Sequence, residues 1–124
     1  MANAKMTWRT LKIQPDGTVD PMPDVMHGDT GDGIVWFVEN EAGADVKVKI
    51  KDFKKRPLLT ALTAVTFLVD SCSVAAGDGP GMIVGQITHL PPAGVTVRTK
   101  YTIDVKVVGV KRQEHDPDLE IERP

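Results

Sequence analysis

The clearest pattern in the chain is the stretch VKVKIK at residues 46–51, in which aliphatic side chains alternate with lysines. Successive side chains of a β-strand point to opposite faces of its sheet. The pattern therefore predicts a half-buried strand, with its aliphatic face against a core and its ammonium groups in water. The ammonium groups on the predicted wet face belong to Lys47, Lys49 and Lys51.

Immediately upstream lies IVWFVEN (34–40), which is apolar at consecutive positions, as expected of a strand that is covered on both faces. Trp36 and Phe37 are adjacent, so a regular strand must point them to opposite faces. One of the two then lies outside the main core unless another layer or a second chain covers it. We therefore predict an interaction surface at Trp36 and Phe37, with a homo-oligomer as one way to cover it.

The longest strand signal is VTVRTKYTIDVKVVGV (95–110), which predicts a long strand or a hairpin. The positions that share one face are Val95, Val97, Thr99, Tyr101, Ile103, Val105 and Val107. Further strands are predicted at MTWRTLKI (6–13), GMIVGQIT (81–88) and LEIER (119–123), with a short extended piece at 25–27.

The segment KKRPLLTALTAVTFLV (54–69) carries conflicting signals. Its leucines approximate helical spacing near the start, and Pro57 suits a first helical turn. Its threonines and valine are stiff at χ1 and favour an extended chain toward the end. We predict a short helix or an irregular crossover here. A helix would cap one end of the fold and cover Trp36 or Phe37, whereas a strand would offer a hydrophobic edge and favour a dimer.

Charge and composition exclude several classes of function. The net charge of −2 gives no general attraction to nucleic acid or anionic lipid. No apolar run approaches the ~20 residues that span a bilayer, and MANAKMTWRTLKI (1–13) lacks the apolar core of a signal peptide. The single cysteine, Cys72, cannot form an internal disulfide. We expect a soluble cytoplasmic protein with no membrane association and no nucleic-acid partner.

About seven short strands between glycine and proline turns predict an antiparallel Greek-key β-sandwich, formed by residues 1–124 as a single domain. The order of these pieces resembles a cupredoxin-like domain of the plastocyanin and azurin type. A group of small bacterial proteins looks similar as well. The resemblance is carried by GIVWFVENEAGADVKVKI (33–50), VAAGDGPGMIVGQI (74–87), KYTIDVKVVGV (100–110) and DPDLEI (116–121).

The resemblance implies where copper ligands would stand in a blue-copper member. The first histidine position falls at Val46, or at Asp45 with a shift of one residue, and the cysteine position falls near Val105. A valine or an isolated aspartate cannot supply the nitrogen and sulfur ligands of such a site. His115, in the last loop, is the one remaining candidate ligand. We therefore expect the fold without its copper site and without any other cofactor.

Two short motifs suggest other functions. Asp29-Thr30-Gly31 spells the tripeptide of aspartic proteases, in which two aspartates share one proton across a dimer axis. The surrounding sequence is polar and glycine-rich, whereas that chemistry needs a buried loop. Weak metal binding could use His27 or His115 with carboxylates such as Asp29, although the histidines lack any metal-binding spacing.

The sequence as a whole favours a non-catalytic β-sandwich that acts as a binding or interaction module. Its candidate interaction surface comprises Trp36, Phe37, Lys47, Lys49 and Lys51. The lysines would suit an acidic partner or simply keep the strand in water. The sequence identifies no protein partner by name.

Overall fold

The computed structural model describes residues 5–124, which form strands, turns and loops and contain no helix. The strands are β1 (Met6–Ile13), β2 (Met26–Asp29), β3 (Gly33–Asn40), β4 (Val46–Lys55), β5 (Thr60–Ala61), β6 (Val65–Val69), β7 (Ser71–Val74), β8 (Gly81–Ile87), β9 (Val97–Val107), β10 (Gln113–His115) and β11 (Asp118–Glu122). Within the described part of the chain there is accordingly no helix long and apolar enough to cross a membrane.

The strands form two sheets. The four-stranded sheet has the order β1-β3-β8-β6, with β1 parallel to β3 and the other pairs antiparallel. The seven-stranded sheet has the order β2-β11-β9-β4-β5, with β10 added on β9 and β7 added on β4. Its β2 runs parallel to β11, so both sheets are mixed.

The core lies between the two sheets and follows from the alternation of side chains along each strand. An aromatic cluster joins the sheets at its centre: Trp36 and Phe67 come from the four-stranded sheet, Phe53 and Tyr101 from the seven-stranded one. The ring of Tyr101 lies 5.4 Å from the ring of Trp36 and 5.4 Å from that of Phe53. Burial of these rings supplies a large part of the hydrophobic stabilisation.

The Tyr101 hydroxyl is the polar centre of this cluster. It accepts a hydrogen bond from Trp36 Nε1 at 3.2 Å and donates to the sulfur of Met26 at 3.5 Å. Burial raises the pKa of Tyr101 to about 12, because the phenolate would be poorly solvated there.

A β-bulge changes which side chains of β4 reach the core. Val48 and Ile50 point inward, and regular alternation would bring Asp52 inward next. Instead the pairing with β9 shifts between Lys51 and Lys54, and Asp52 adopts a positive φ of 56°. Phe53 therefore takes the inward position, and Asp52 stays exposed.

The structure corrects the prediction of a short helix near 54–69. The segment completes β4, turns, and forms β5 and β6 before the chain crosses at Asp70 to β7 in the other sheet. Thr60, Thr63 and Thr66 favour this extended path, because their branched side chains lose rotamer freedom in a helix. Leu58 and Leu59, which contribute to the helical spacing, lie in the turn between β4 and β5, and Leu58 is exposed there.

The predicted strands at 6–13, 34–40, 46–51, 81–88 and 119–123 are confirmed to within about two residues at most ends. The long signal at 95–110 is one strand, β9, with its predicted face buried from Val97 to Val107. Val95 lies before the strand and is exposed. The β-sandwich class is confirmed. The prediction of purely antiparallel sheets is wrong, because β1 pairs with β3 and β2 with β11 in parallel. The two mixed sheets do not support the finer Greek-key cupredoxin topology.

Candidate interaction surfaces

The middle of the outer surface of the four-stranded sheet is apolar. Register places Trp8 beside Val35, Val35 beside Val84, and Val84 beside Val69. Paired residues in adjacent strands project from the same side of a sheet. This row therefore crosses all four strands without a polar side chain.

The next row along the strands extends the apolar surface. It places Thr10 beside Phe37 and Phe37 beside Met82. We call the whole surface the apolar face. It consists of Met6, Trp8, Val35, Phe37, Val69, Met82 and Val84.

The large side chains at the edges of the apolar face are open to solvent, and those at its centre are not. Trp8 on β1 is 54% exposed, and Met82 on β8 is 52% exposed. Val35, on strand β3 between these two strands, is 6% exposed. The indole of Trp8 packs edge-on against the ring of Phe37, with 5.8 Å between ring centres. This contact orients the indole before any partner arrives, which lowers the entropy cost of using it in an interface.

The structure resolves the question raised by the adjacent aromatic residues of β3. Trp36 is fully buried in the core, and Phe37 points outward into the apolar face. The sequence pattern did not identify Trp8 and Met82 as partners of Phe37. The signal was present, because both occupy every-second positions of predicted strands, opposite in phase to Leu11 and Ile83 of the core.

Strand β6 forms the free edge of this sheet next to the apolar face. It pairs with β8, and its register shifts between Phe67 and Val69. Leu68 stands in this irregularity and is 83% exposed. Edge strands are usually protected by lysine or proline, and VTFLV (65–69) contains neither.

The outer surface of the seven-stranded sheet is charged, as the lysine alternation predicts. Lys47 and Lys49 are exposed, and Lys51 is half-buried. Lys51 Nζ lies 3.1 Å from Asp104 Oδ2 and 3.6 Å from Glu114 Oε1. Hydrogen bonding to Asp104 raises the pKa of Lys51, so this lysine remains charged. The sequence had grouped Trp36, Phe37 and these lysines as one candidate surface. In the structure Trp36 lies in the core, and the lysines lie on the other sheet from Phe37.

The acidic surroundings of His27 lie at the other edge of the seven-stranded sheet. His27 Nδ1 is 3.2 Å from Glu120 Oε2 on the neighbouring strand β11. Asp29, Asp32 and Glu122 share with them a shallow depression of about 230 Å³. Among residues 5–124, however, no three histidine, cysteine, aspartate or glutamate side chains converge as a metal site would require.

Asp29-Thr30-Gly31 forms the turn from β2 to β3. The Thr30 hydroxyl donates to the carbonyl of His89 at 2.6 Å. The two carboxylate oxygens of Asp32 accept hydrogen bonds from the backbone N–H groups of Lys5, at 3.2 Å, and Asp29, at 2.9 Å. These bonds fix the turn. The geometry therefore gives the tripeptide a structural role within one chain.

His115 and Cys72 are separate from that depression. His115 lies on β10, with Nε2 3.2 Å from the carbonyl oxygen of Gly17. Cys72 lies on β7 and packs against the core, and its burial raises the pKa of the thiol. A protonated thiol is a poor nucleophile, so Cys72 acts in packing.

Two solved structures share this architecture. One is a chain of the CsuC–CsuE chaperone–tip adhesion subunit pre-assembly complex of archaic chaperone–usher Csu pili from Acinetobacter baumannii, with a TM-score of 0.66 and 15% identity over 82% of the present chain. The present chain spans 50% of that chain. The other is the ASH/PapD-like domain 7 of human CEP192, with a TM-score of 0.52 and 11% identity over 94% of the present chain and 80% of the other. No protein-family model and no curated protein matches the sequence.

In its fold the chain is similar to PapD-like, immunoglobulin-like β-sandwich domains, and the cupredoxin resemblance is wrong. The resemblance depended on alternating strands and their order, which many β-sandwiches share. Val46 and Val105, which fell at the ligand positions of a copper site, are core residues on β4 and β9. They fill space between the sheets, as aliphatic residues do in any sandwich.

Proposed function

We propose that this domain is a non-catalytic protein-interaction module that pairs with a second copy of itself through the apolar face. The observation that carries the proposal is the unbroken apolar row from Trp8 across Val35 and Val84 to Val69. Exposed apolar surfaces of this kind mark interaction sites on monomeric domains. PapD-like domains also occur in protein complexes, as in the CsuC–CsuE pre-assembly complex.

A second copy suits the apolar face because of its shape and charge. The two rows that form its centre contain no charged residue, so two copies meet without electrostatic repulsion. Charged side chains begin one row further on, where Lys12 stands beside Glu39. Sheets pack on sheets face to face at about 10 Å, and a two-fold contact uses the same face of both copies and closes after two.

The size of the apolar face sets the expected strength of the pair. The whole outer surface of the four-stranded sheet, of which the apolar face is a part, covers roughly 400 Å² in projection, against about 800 Å² of accessible surface per partner in a standard interface. The contact therefore belongs to the small end of specific interfaces. We expect a dimer that dissociates in the micromolar range rather than an obligate one.

Sedimentation velocity from about 1 µM to about 1 mM tests the proposal. The wild-type protein should pass from monomer to dimer, and Met82→Lys should weaken the dimer by about a hundredfold, because an ammonium group would be buried unpaired. Leu58→Lys is the matched control: Leu58 is 84% exposed but lies in the β4–β5 turn of the other sheet. It should leave the dimer unchanged.

Two results would overturn the proposal, and both can be distinguished from a folding defect. A wild-type monomer over the whole range contradicts self-pairing and leaves a different protein as the occupant of the apolar face. A dimer that survives Met82→Lys places the contact elsewhere. Far-ultraviolet circular dichroism of both variants establishes that they are folded.

The cellular compartment of the protein is proposed from the sequence alone. We propose a reducing one, since the single cysteine of the chain cannot form an internal disulfide. The packing of Cys72 against the core also requires no oxidation.

A further inference from the structure

A basic depression lies on the outer surface of the seven-stranded sheet. It has a volume of about 270 Å³. Its lining, which we call the basic pocket, consists of Lys47, Lys49, Lys51, Asp104, Lys106 and Arg112. Five cations thus surround a single carboxylate, on a chain whose net charge is −2. Two further carboxylates stand near these cations: Asp70 Oδ2 lies 3.9 Å from Lys49 Nζ, and Glu114 Oε1 lies 3.6 Å from Lys51 Nζ.

The strand register places two of these cations directly opposite each other. Lys47 of β4 pairs with Lys106 of β9. Like charges opposite each other in a sheet are destabilising. Among the described residues neither lysine forms an ion pair, and Lys106 Nζ donates instead to the neutral carbonyl of Val110. Within residues 5–124 the two like charges therefore stand opposite each other, and no carboxylate lies within ion-pair distance of either ammonium group.

Asp104 organises the other side of the basic pocket. Asp104 is 8% exposed. Its carboxylate lies 3.1 Å from Lys51 Nζ and 3.3 Å from Arg112 Nε. One buried carboxylate thus holds two cations at the wall of the depression. Both keep further donor groups for a ligand, because an ammonium has three N–H donors and a guanidinium has five.

We propose that the basic pocket binds a multivalent phosphate anion, with Lys47 and Lys106 as the principal ligands. Ammonium groups are point charges that bind phosphate without demanding a fixed approach, and guanidinium adds directed N–H donors. A phosphate between Lys47 and Lys106 turns their repulsion into two attractions. The lining contains no aromatic residue for stacking on a base, so recognition is directed at the phosphate groups themselves.

The test uses sodium pyrophosphate as the probe, titrated into the full chain at low salt and followed by amide chemical shifts. Pyrophosphate should shift the amides of β4 and β9 near Lys47 and Lys106. The double variant Lys47→Gln with Lys106→Gln should weaken binding by about tenfold or more, because two charge-assisted hydrogen bonds are lost. Thermal melting should show no loss of stability, since the variant removes a repulsion.

The matched control carries the same change in net charge at other exposed lysines, Lys12→Gln with Lys55→Gln. It should bind pyrophosphate within about twofold of the wild type, apart from the general effect of net charge. Equal weakening in both double variants would overturn the proposal, because binding would then follow net charge alone. Absence of binding at millimolar pyrophosphate, or shifts confined to other strands, would overturn it too. Each result is independent of whether the apolar face forms a dimer.

Discussion

The outer faces of the two sheets differ completely, although the same two-residue alternation produces both. On the four-stranded sheet the outward row is Trp8, Val35, Val84 and Val69. On the seven-stranded sheet the outward positions of β4 before its bulge are three lysines. The inward positions of both sheets must be apolar to form a core. The outward positions are under no such demand, so their chemistry reflects what each face meets outside the domain.

The largest effect tests whether the apolar face is truly outside the core. Trp36→Ala should lower the free energy of unfolding by about 3–5 kcal/mol, because it leaves a large cavity between the sheets. Phe37→Ala, one residue away on the opposite face, should cost only about 1 kcal/mol. Urea unfolding at a protein concentration low enough to keep the chain monomeric measures both. Equal costs would mean that the apolar face is part of the core, and the comparison would fail.

A second effect probes the inner side of the seven-stranded sheet through its only tyrosine. The unfolded chain loses the Tyr101 proton near pH 10, whereas the folded protein keeps it until about 12. Above pH 10 the unfolded state therefore binds fewer protons, and stability falls as the pH rises through this window. The loss should reach about 2 kcal/mol by pH 12.

Phenolate absorbance and urea unfolding between pH 9 and about 12 measure this effect. Tyr101→Phe should remove this contribution to the pH dependence. At neutral pH the same variant should cost about 1–3 kcal/mol, because the buried indole N–H of Trp36 loses its acceptor. An unchanged pH profile in the variant would show that Tyr101 is not desolvated as the fold implies.

The smallest effect concerns the charged face. Lys106→Glu should raise the free energy of unfolding by about 0.5 kcal/mol, because the repulsion from Lys47 becomes an attraction. Lys55→Glu carries the same charge change opposite the uncharged Thr99 and serves as the control. The gain should shrink in ~1 M salt, where surface charges are screened. A loss of stability specific to Lys106→Glu would indicate that Lys106 and Lys47 do not face each other.

Much of the secondary structure could be predicted from the chain alone, because strands with one buried face impose a period of two on the sequence. Strands β4, β8 and β9 follow that rule, whereas β3 was recognised by its continuous apolar run. The short strands β7 and β10 were not predicted. Each has fewer than five residues, too few to display an alternation. They exist because β4 and β9 offer unpaired edges for them to join.

The candidate surfaces were predicted in part. Alternation placed Lys47, Lys49 and Lys51 outside, and adjacency required that Trp36 or Phe37 leave the core. Which aromatic residue would leave could not be decided, since both orientations satisfy the alternation. Nor could the chain alone assemble Trp8 with Met82, which are far apart in sequence and meet only through the order of strands.

The sequence by itself determined that this protein is a β-sandwich, that one strand carries lysines on its outer face, and that one aromatic residue of β3 points away from the core. It could do so because side-chain alternation is a local property of each strand. The tertiary structure alone decided the rest. Strand order joined four separate segments into the apolar face, register set Lys47 against Lys106, and the bulge at Asp52 turned Phe53 into the core. These features depend on contacts between distant segments, whose energies arise only when the sheets pack together.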